Sequence, residues 1–179
     1  MGSQDDATAV TRVRLATPGD GAACAAIYAP YVTDTPVSFE EAPPPAAEMA
    51  ERIAAAVLWL VLEDEGRVTG YAYAGRFMER AAYRWACEVS VYLERGRARR
   101  GGGRALYEAL LAALRDRGYL VAVAGMTLPT PASEGFHRAM GFEPVGTYRR
   151  IGWKNGAWHD VAWTQKLLAP GGSPPGEPV

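Results

Sequence analysis

The sequence predicts a single α/β domain, more closely α+β, built on a mixed and mostly antiparallel sheet. Strand and helix signals follow one another in the order βααβββαβαββ, which combines antiparallel hairpins with one βαβ crossover. The chain has 179 residues, 49% of them hydrophobic, and a formal net charge of −1. These values are typical of one globular unit with a single substantial core. In mid-chain a strand, a glycine turn and an amphipathic helix follow one another directly.

The first half of the chain predicts one strand, two helices and a hairpin. Thr17 is placed to cap a helix that has Pro18 at its first position, where the missing N–H of proline costs no hydrogen bond. Residues 33–45 include four prolines and indicate a loop, and Asp64–Arg67 has the glycine of a hairpin turn. We expect a strand at 10–16, helices at 18–31 and 46–56, and strands at 59–63 and 69–77.

The second half of the chain predicts the crossover and a final hairpin. Gly118 and Gly141 follow helical patterns and are expected to end them, and Lys154–Gly156 is a turn signal between two strand patterns. The polar segment 1–9 and the Pro/Gly-rich segment 169–179 are expected to be disordered. We expect a strand at 85–93, a helix at 102–117, a strand at 121–126, a helix at 132–140, and strands at 147–152 and 158–168.

A potential anion site lies at the start of the crossover helix. Apolar residues alternate through Glu88–Leu93, the turn Arg99–Arg104 is basic and rich in glycine, and leucines share one face of the helix that follows. The first N–H groups of a helix lack intrahelical partners and carry partial positive charge, and glycine lets a phosphate approach them closely. The turn therefore predicts a site for a phosphate-bearing cofactor.

Two common phosphate motifs do not fit this turn. A P-loop requires Gly-Lys-Ser/Thr, whereas the chain has Gly103-Arg104-Ala105 and offers no hydroxyl for magnesium. A dinucleotide-binding turn requires a third glycine in register, which Gly101–Gly103 lacks. The turn is close to the R/Q-x-x-G-x-G/A pattern of the GNAT acetyltransferases, which bind the pyrophosphate of acetyl-coenzyme A. A flexible surface turn with solvated arginines is the alternative.

Composition excludes several other classes of function. Carboxylates balance the dispersed arginines, which argues against nucleic acid as the main partner. No apolar run approaches the roughly 20 residues of a membrane helix, and the N-terminus lacks the features of a signal peptide. Cys24 and Cys87 are too few for a disulfide scaffold, and no Cys/His spacing resembles a metal site. We expect one cytoplasmic domain at 10–168, with no metal.

Seven short motifs follow one another in order along the chain. They are Tyr71–Gly75, Tyr83–Trp85, Glu88–Tyr92, Gly101–Gly103, Leu106–Tyr107, Phe136–Phe142 and Lys154–Asp160. Together they resemble a narrower group within the GNAT acetyltransferases, the phosphinothricin N-acetyltransferases and the methionine sulfoximine/sulfone acetyltransferases, and the resemblance runs from Val13 to Leu168. It implies the GNAT fold with a splayed parallel strand pair and helices on both faces of the sheet, acetyl-CoA as cosubstrate, and a homodimer to which the final hairpin contributes.

The chain departs from this resemblance at two positions. Ala98 stands where the glycine turn usually begins with Gln or Arg, and Thr130 stands where relatives commonly have an Asn that contacts the pantetheine arm. Neighbouring arginines and the backbone N–H donors remain available at the turn, and a threonine hydroxyl still forms a hydrogen bond with shorter reach. Both departures are expected to weaken the affinity for acetyl-CoA without abolishing it.

Two residues are candidates for the proton transfers of acetyl transfer to an amine. Glu88 begins the strand that leads to the glycine turn, in apolar surroundings that favour a raised pKa, and the resemblance implies that it is the general base. The alternative is a strand-end glutamate in a surface ion pair. His137 stands where many GNAT enzymes have a tyrosine that protonates the sulfur of coenzyme A. The alternative is a partly exposed helix histidine.

The remaining candidates are expected to bind the two substrates. Arginine binds carboxylate and phosphinate groups bidentately, and the loop before the Glu88 strand matches the substrate loop of the resembling enzymes. For the amino-acid acceptor the candidates are Phe39, Arg80, Tyr83 and Tyr107, with Arg76 a weaker one. For acetyl-CoA they are Val91, Tyr92, Leu93, Arg99, Arg100, Gly101, Gly102, Gly103, Arg104, Thr130 and Ser133.

The resemblance implies acetyl-CoA-dependent N-acetylation of a small amino acid such as phosphinothricin or methionine sulfoximine. Another amine, such as an ordinary amino acid, a polyamine or a peptide N-terminus, is the alternative within the enzyme class. A coenzyme A-binding module without turnover is the alternative outside it, and the presence of both Glu88 and His137 argues against it. A fold and a cofactor site do not by themselves determine the acceptor.

Overall fold

The computed structural model of the protein describes residues 11–172 and 176–179. Seven strands and four helices lie in these ranges, and short 3-10 turns precede the first helix and the fourth strand. The elements are β1 (Arg12–Leu15), α1 (Gly21–Thr33), α2 (Ala46–Ala55), β2 (Leu58–Asp64), β3 (Arg67–Arg76), β4 (Ala86–Leu93), α3 (Gly102–Asp116), β5 (Val121–Thr127), α4 (Pro131–Ala139), β6 (Glu143–Lys154) and β7 (Ala157–Leu167).

All seven strands belong to one sheet with the order β1-β2-β3-β4-β5-β7-β6. Neighbouring strands are antiparallel except β4 and β5, which α3 connects as a crossover. The parallel pair is joined only where Ala86–Glu88 lies beside Val121–Val123, and β5 then continues along β7 instead. The strands diverge beyond Glu88, which confirms the predicted mixed sheet with a splayed parallel pair.

Helices cover both faces of the sheet, as predicted. On one face α3 buries Leu106, Leu110 and Leu114 against Ala72, Val89 and the inward residues of β2. On the other face α1 and α2 bury Cys24, Met49 and Ile53 against aromatic residues of β2 and β3. Successive strand residues point to opposite faces, so each of the central strands contributes to both cores.

Several predicted elements have slightly different boundaries in the structure, and the first helix and β6 differ most clearly. The first helix begins as a 3-10 turn at Pro18–Asp20, and α1 continues through Pro30 to Thr33 rather than ending at residue 31. A proline within a helix removes one backbone hydrogen bond, and the buried side chain of Val32 beyond it stabilises the last turn. β6 is also longer than the predicted strand at 147–152. Its register with β7 shifts between Pro144 and Gly146 and again between Tyr148 and Gly152, but the pairing continues beyond both shifts.

The turns that join the hairpins follow the sequence signals closely. Glu65 and Gly66 have φ values of 51° and 76° between β2 and β3, and Asn155 and Gly156 have φ values of 52° and 74° between β6 and β7. Two consecutive residues with positive φ make the type I′ geometry that matches the twist of antiparallel strands. Both predicted hairpins are therefore confirmed.

The two predicted disordered ends remain predictions. Segment 1–9 lies outside the described residues, as do residues 173–175 of the tail. Residues 176–179 lie beside the start of β4, where the Trp85 indole N–H donates to the Gly176 carbonyl at 2.6 Å and the Val179 N–H donates to the Arg117 carbonyl at 2.9 Å. None of the helices described is long and apolar enough to cross a membrane.

Candidate active site

The divergence of β4 and β5 opens a cleft in the middle of the sheet. The cleft has a volume of about 710 Å³. Its walls are the ends of the two strands, Val89–Glu94 and Ala124–Thr127, and α3 and α4 contribute side chains to its floor. One end of the cleft meets the glycine turn before α3. A single cleft therefore joins the predicted anion site to the strand that holds Glu88.

The glycine turn presents the first backbone N–H groups of α3. Gly101 caps the helix in the left-handed conformation with φ of 85°, and space is open where its Cβ would lie. The first intrahelical bond is donated by the Ala105 N–H to the Gly101 carbonyl at 3.0 Å, so the preceding N–H groups have no helical acceptor. Gly102 serves packing instead, because a Cβ there would come within 2.6 Å of Leu62.

The arginines around this turn divide into two groups. Arg97 forms ion pairs with Asp64 at 2.5 Å and Glu94 at 2.9 Å, so its charge is already compensated. Arg99 and Arg104 line the cleft, together with Ala98. Arg100 is exposed and does not line it. Two of the three arginines predicted to bind the pyrophosphate thus lie at the cleft, and positive charge is present although Ala98 offers none.

The cleft edge of β4 offers backbone hydrogen-bonding groups. The Leu93 carbonyl accepts from the Tyr31 hydroxyl at 2.7 Å, and the Val89 carbonyl oxygen lies 3.4 Å from the Tyr107 hydroxyl oxygen. Backbone groups on one edge of a strand alternate with those on the other, so Val91, midway between these residues, directs its N–H and carbonyl toward the same cleft. An extended, amide-containing molecule can therefore add to this edge as a further strand would.

Glu88 lies at the point where the two strands separate. It is the last residue of β4 that pairs with β5, and Val89 beside it is the first that lines the cleft. Alternation places its side chain on the α1–α2 face of the sheet with Ser90 and Tyr92. Burial raises the pKa of the Glu88 carboxyl. The alternative of an exposed ion pair finds no support, since Glu88 forms no salt bridge with the described residues.

His137 and Tyr107 form a buried hydrogen-bonded pair at the floor of the cleft. Nδ1 of His137 lies 2.8 Å from the Ser133 carbonyl oxygen, which can only accept, so the neutral imidazole has its proton on Nδ1. Nε2 then accepts from the Tyr107 hydroxyl at 3.1 Å. Burial lowers the pKa of His137 and favours this neutral form. Both side chains line the cleft, as do Thr130 and Ser133.

The structure does not bring all predicted acceptor residues to this cleft. Arg80 and Tyr83 line a separate, more polar cavity of about 360 Å³ beside the start of β4, together with Arg76. Phe39 lies on the loop between α1 and α2, where its ring covers Gly152 of β6 and lies 6.2 Å from the His159 ring. Of the predicted acceptor residues, only Tyr107 lines the cleft between β4 and β5.

The cleft also includes residues that the sequence analysis did not single out. Tyr31 donates to the Leu93 carbonyl and packs edge-on against Tyr92, with ring centroids 5.2 Å apart. Val37 and Phe136 also line the cleft. Tyr31 has no distinguishing signal, because α1 is apolar on all sides and its sequence does not show which face meets the sheet. No group of three His, Cys, Asp or Glu residues suited to a metal ion occurs in the part of the chain that the structure describes.

Comparisons with known proteins agree with this architecture. Residues 13–163 match the model of the acetyltransferase (GNAT) domain. A phosphinothricin N-acetyltransferase of Streptomyces viridochromogenes is 37% identical over 171 residues, which is 93% of either chain. An L-methionine sulfoximine/L-methionine sulfone acetyltransferase of Pseudomonas paraeruginosa is 37% identical over 117 residues, 65% of this chain and 68% of the relative.

A solved structure shows the same fold with a ligand. The crystal structure of a GNAT superfamily phosphinothricin acetyltransferase from Sinorhizobium meliloti in complex with AcCoA superposes with a TM-score of 0.86. Its sequence is 34% identical, and the match covers 94% of this chain and 93% of that one.

Proposed function

The chain belongs to the GNAT acetyltransferases, and we propose that it transfers the acetyl group of acetyl-CoA to the amine of a small amino acid such as phosphinothricin or methionine sulfoximine. The relatives named for these two activities support this acceptor class. The observation that carries the proposal is the cleft between β4 and β5, which joins the N-terminus of α3 to the position of Glu88.

The residues of the cleft fit acetyl-CoA. The free N–H groups at the start of α3, with Arg99 and Arg104, suit a pyrophosphate. The edge of β4 around Val91 suits the amides of the pantetheine arm. The thioester then lies where the strands separate, and a backbone N–H of β4 there can polarise its carbonyl.

Glu88 acts as the general base in this proposal. An amino acid's amine is mostly protonated near neutral pH, so a proton must be removed before the amine attacks. The Glu88 side chain lies on the α1–α2 face, whereas the cleft opens between the strands. The amine therefore approaches the thioester through the gap beside Glu88, and it transfers its proton to this carboxylate. The raised pKa of Glu88 makes the carboxylate a stronger base.

Tyr107 and His137 serve the departing thiolate. In the neutral imidazole Nδ1–H donates to the Ser133 carbonyl and Nε2 accepts from the Tyr107 hydroxyl, so neither ring nitrogen has a proton for the sulfur. Once His137 is protonated from solvent, Nε2–H donates to the Tyr107 oxygen, and the Tyr107 hydroxyl passes its own proton to the thiolate while it takes the proton of Nε2. The role of proton donor that the sequence predicts for His137 is thus shared by a pair of residues.

A thiol-release assay tests the function directly. Acetyl-CoA is supplied with phosphinothricin, methionine sulfoximine, methionine sulfone, the common amino acids and spermidine, each in turn. Turnover confined to the first three compounds is the expected result. Turnover with ordinary amino acids or spermidine instead would identify the alternative acceptor class. The absence of turnover with every compound, together with acetyl-CoA binding measured by calorimetry, would indicate the non-catalytic module.

Arg80 and Tyr83 bind the acidic end of the acceptor in this proposal. They lie on the loop that precedes β4, and an arginine fork matches a carboxylate or a phosphinate. Their cavity is separate from the cleft. An acceptor that is bound by Arg80 and Tyr83 and reacts in the cleft of the same chain therefore has to extend past the start of β4. In a dimer, the loop can instead face the cleft of the partner subunit. Phe39 covers the acceptor from the α1–α2 side.

A homodimer and a role in resistance complete the proposal. Large apolar side chains are exposed on the final hairpin, and an exposed apolar face of this kind typically marks an interface. A cytoplasmic location suits an enzyme that uses intracellular acetyl-CoA, and cell fractionation tests it. Expression of the chain in a phosphinothricin-sensitive host is expected to permit growth on the compound. The exposed side chains are Val145, Tyr148, Ile151, Trp153 and Trp158.

A further inference from the structure

The ammonium group of Lys154 lies at the end of β6 and is surrounded by backbone oxygens from a distant part of the chain. Its Nζ donates to the carbonyls of Val32 at 2.6 Å, Ser38 at 2.5 Å and Glu40 at 2.8 Å. All three acceptors belong to the end of α1 or to the loop that follows it. One side chain of the final hairpin thus holds the loop 34–40, here called the α1–α2 loop, at two points and the end of α1 at a third.

The residue type fits this geometry. An ammonium group has three donors around one compact charge, whereas a guanidinium has its donors in a flat fork. Lysine is rare in this chain, which has only Lys154 and Lys166 beside 17 arginines. At position 154 three carbonyls converge on one point, and a tetrahedral donor can satisfy all of them at once. Charge-assisted bonds of this kind are stronger than neutral ones.

The α1–α2 loop lies between the cleft and the final hairpin. Val37 lines the cleft. The ring of Phe39 lies so closely on Gly152 that a Cβ there would clash with it, and this contact is two residues from Lys154. The backbone carbonyl of Lys154 also meets Nε2 of His159 at 3.0 Å, beside the same ring. The loop is therefore seated on the hairpin by one polar and one apolar contact.

The same part of the loop is also connected to β4. The Tyr28 hydroxyl bonds the Ser38 hydroxyl at 2.7 Å and the Glu40 carboxylate at 3.0 Å. The Tyr28 ring packs edge-on against Tyr92, with centroids 4.9 Å apart. Tyr92 lies on the same face of β4 as Glu88. The amine approaches from this face of the sheet. Displacement of the loop would therefore alter the surface that the amine meets there.

We propose that Lys154 is a positioning residue, which holds the α1–α2 loop as the wall of the acceptor site and so sets the affinity for the amine. The inference rests on the proposed function for the identity of that site. It predicts that loss of the ammonium group impairs acceptor binding, while the acetyl-CoA site at the start of α3 is unaffected.

Steady-state kinetics of Lys154→Met test this role, with Lys166→Met as the matched control. Lys166 is also a lysine of the final hairpin that donates to a carbonyl, that of Met140, but it does not contact the loop. The expected result for Lys154→Met is an acceptor KM raised about tenfold or more, because small displacements of positioning groups are costly. The KM for acetyl-CoA stays within about twofold in both variants. Equal acceptor KM values for the two variants would overturn the proposal.

A rescue experiment separates positioning from general destabilisation. Lys154→Cys is treated with 2-bromoethylamine, which forms a thioether and releases bromide, and so restores an ammonium group at nearly the length of lysine. Cys24 and Cys87 are buried, so the introduced thiol reacts preferentially. Recovery of the acceptor KM after alkylation is expected. A fully alkylated and folded protein whose KM remains raised would contradict the proposal.

Hydrogen exchange of the loop tests the same role without turnover. The Glu40 N–H donates to the Ser38 hydroxyl at 3.1 Å within the loop that Lys154 holds. Its exchange is expected to accelerate about tenfold or more in Lys154→Met and to be unchanged in Lys166→Met. If no amine is a substrate of the wild-type protein, the proposed function fails while this readout still decides whether Lys154 holds the loop. Unchanged exchange would overturn the inference whatever the substrate.

Discussion

At the scale of single residues, burial determines the chemistry of the polar groups in the site. Glu88 has no cationic partner among the described residues, and burial alone raises its pKa. His137 is kept neutral by burial, and a backbone carbonyl fixes its tautomer. The sequence indicates both residues as candidates, Glu88 by its position in the strand that leads to the glycine turn and His137 by its position in the last helix. Their protonation states depend on neighbours that are distant in the sequence.

The first prediction concerns Glu88→Gln. A glutamine retains the size of the side chain but cannot accept the proton of the amine, so kcat is expected to fall at least about tenfold. Isothermal titration with acetyl-CoA should give an unchanged Kd, since the carboxylate does not line the cleft. Glu51→Gln on the exposed face of α2 is the control. Wild-type turnover in Glu88→Gln would remove this carboxylate from the mechanism.

The pH dependence of kcat follows from the same residue. Glu88 acts as a base only when it is ionised, so kcat at saturating amine falls as the pH decreases through its pKa. Because burial raises this pKa, the fall is expected at a pH above the ordinary value of 4.5. The acidic limb of the profile should disappear in Glu88→Gln. A limb that persists in the variant would assign it to another group.

At the scale of secondary-structure elements, the junction between β4 and α3 makes the cofactor site. The pattern of strand, glycines and helix is local, and it was predicted with nearly the observed boundaries. Within the turn the three glycines have different roles that sequence does not separate. Gly101 adopts a left-handed conformation at the helix cap, whereas Gly102 permits close packing on Leu62. Ala98 removes one side-chain donor but no backbone donor.

Gly101→Ala tests the backbone of this turn. Alanine at φ of 85° costs about 1–2 kcal/mol in the left-handed region, so the turn is expected to shift and the Kd for acetyl-CoA to rise about tenfold. Gly146→Ala in β6 is the matched control, because its φ is not positive and its Cβ meets open space. Calorimetric titration of both variants provides the measurement. Equal affinities would show that the conformation of Gly101 does not matter for binding.

At the scale of the whole molecule, the long hairpin of β6 and β7 links the site to the edge of the sheet. Its tip holds the α1–α2 loop through Lys154, and its outer surface exposes Tyr148 and Ile151. The hairpin thus connects acceptor binding to the face that we propose as the dimer interface. A substitution on this face is therefore expected to affect acceptor binding as well, because the same two strands carry Lys154.

The dimer prediction uses the double variant Tyr148→Glu/Ile151→Glu. Both side chains are largely exposed, at 60% and 57%, so the monomer is expected to fold. Two carboxylates on each copy would meet the same charges on the partner and prevent association. Leu15→Glu at the opposite edge of the sheet, also 60% exposed, is the control. Light scattering after size-exclusion chromatography gives the mass, and a wild-type monomer would refute the interface.

The sequence by itself determined the features that depend on neighbouring residues. The order of strands and helices, the glycine turn and the final hairpin turn all follow from side-chain periodicity and from backbone conformations that few residues adopt. Glu88 and the turn were also predicted to belong to one site, since five residues separate β4 from the first arginine of the turn. Local patterns suffice here because the interactions that create these elements are local.

Only the tertiary structure decided which distant segments meet. It places Tyr31 and Val37 at the cleft, Arg80 and Tyr83 in a separate cavity, and Lys154 against carbonyls more than 110 positions earlier in the chain. Such contacts depend on how whole helices and strands pack against one another. That packing is determined by the combined shape of the side chains in both cores, and no local sequence pattern contains this information. The acceptor side of the site is made almost entirely of these long-range contacts, and for this reason sequence predicted the cofactor side better.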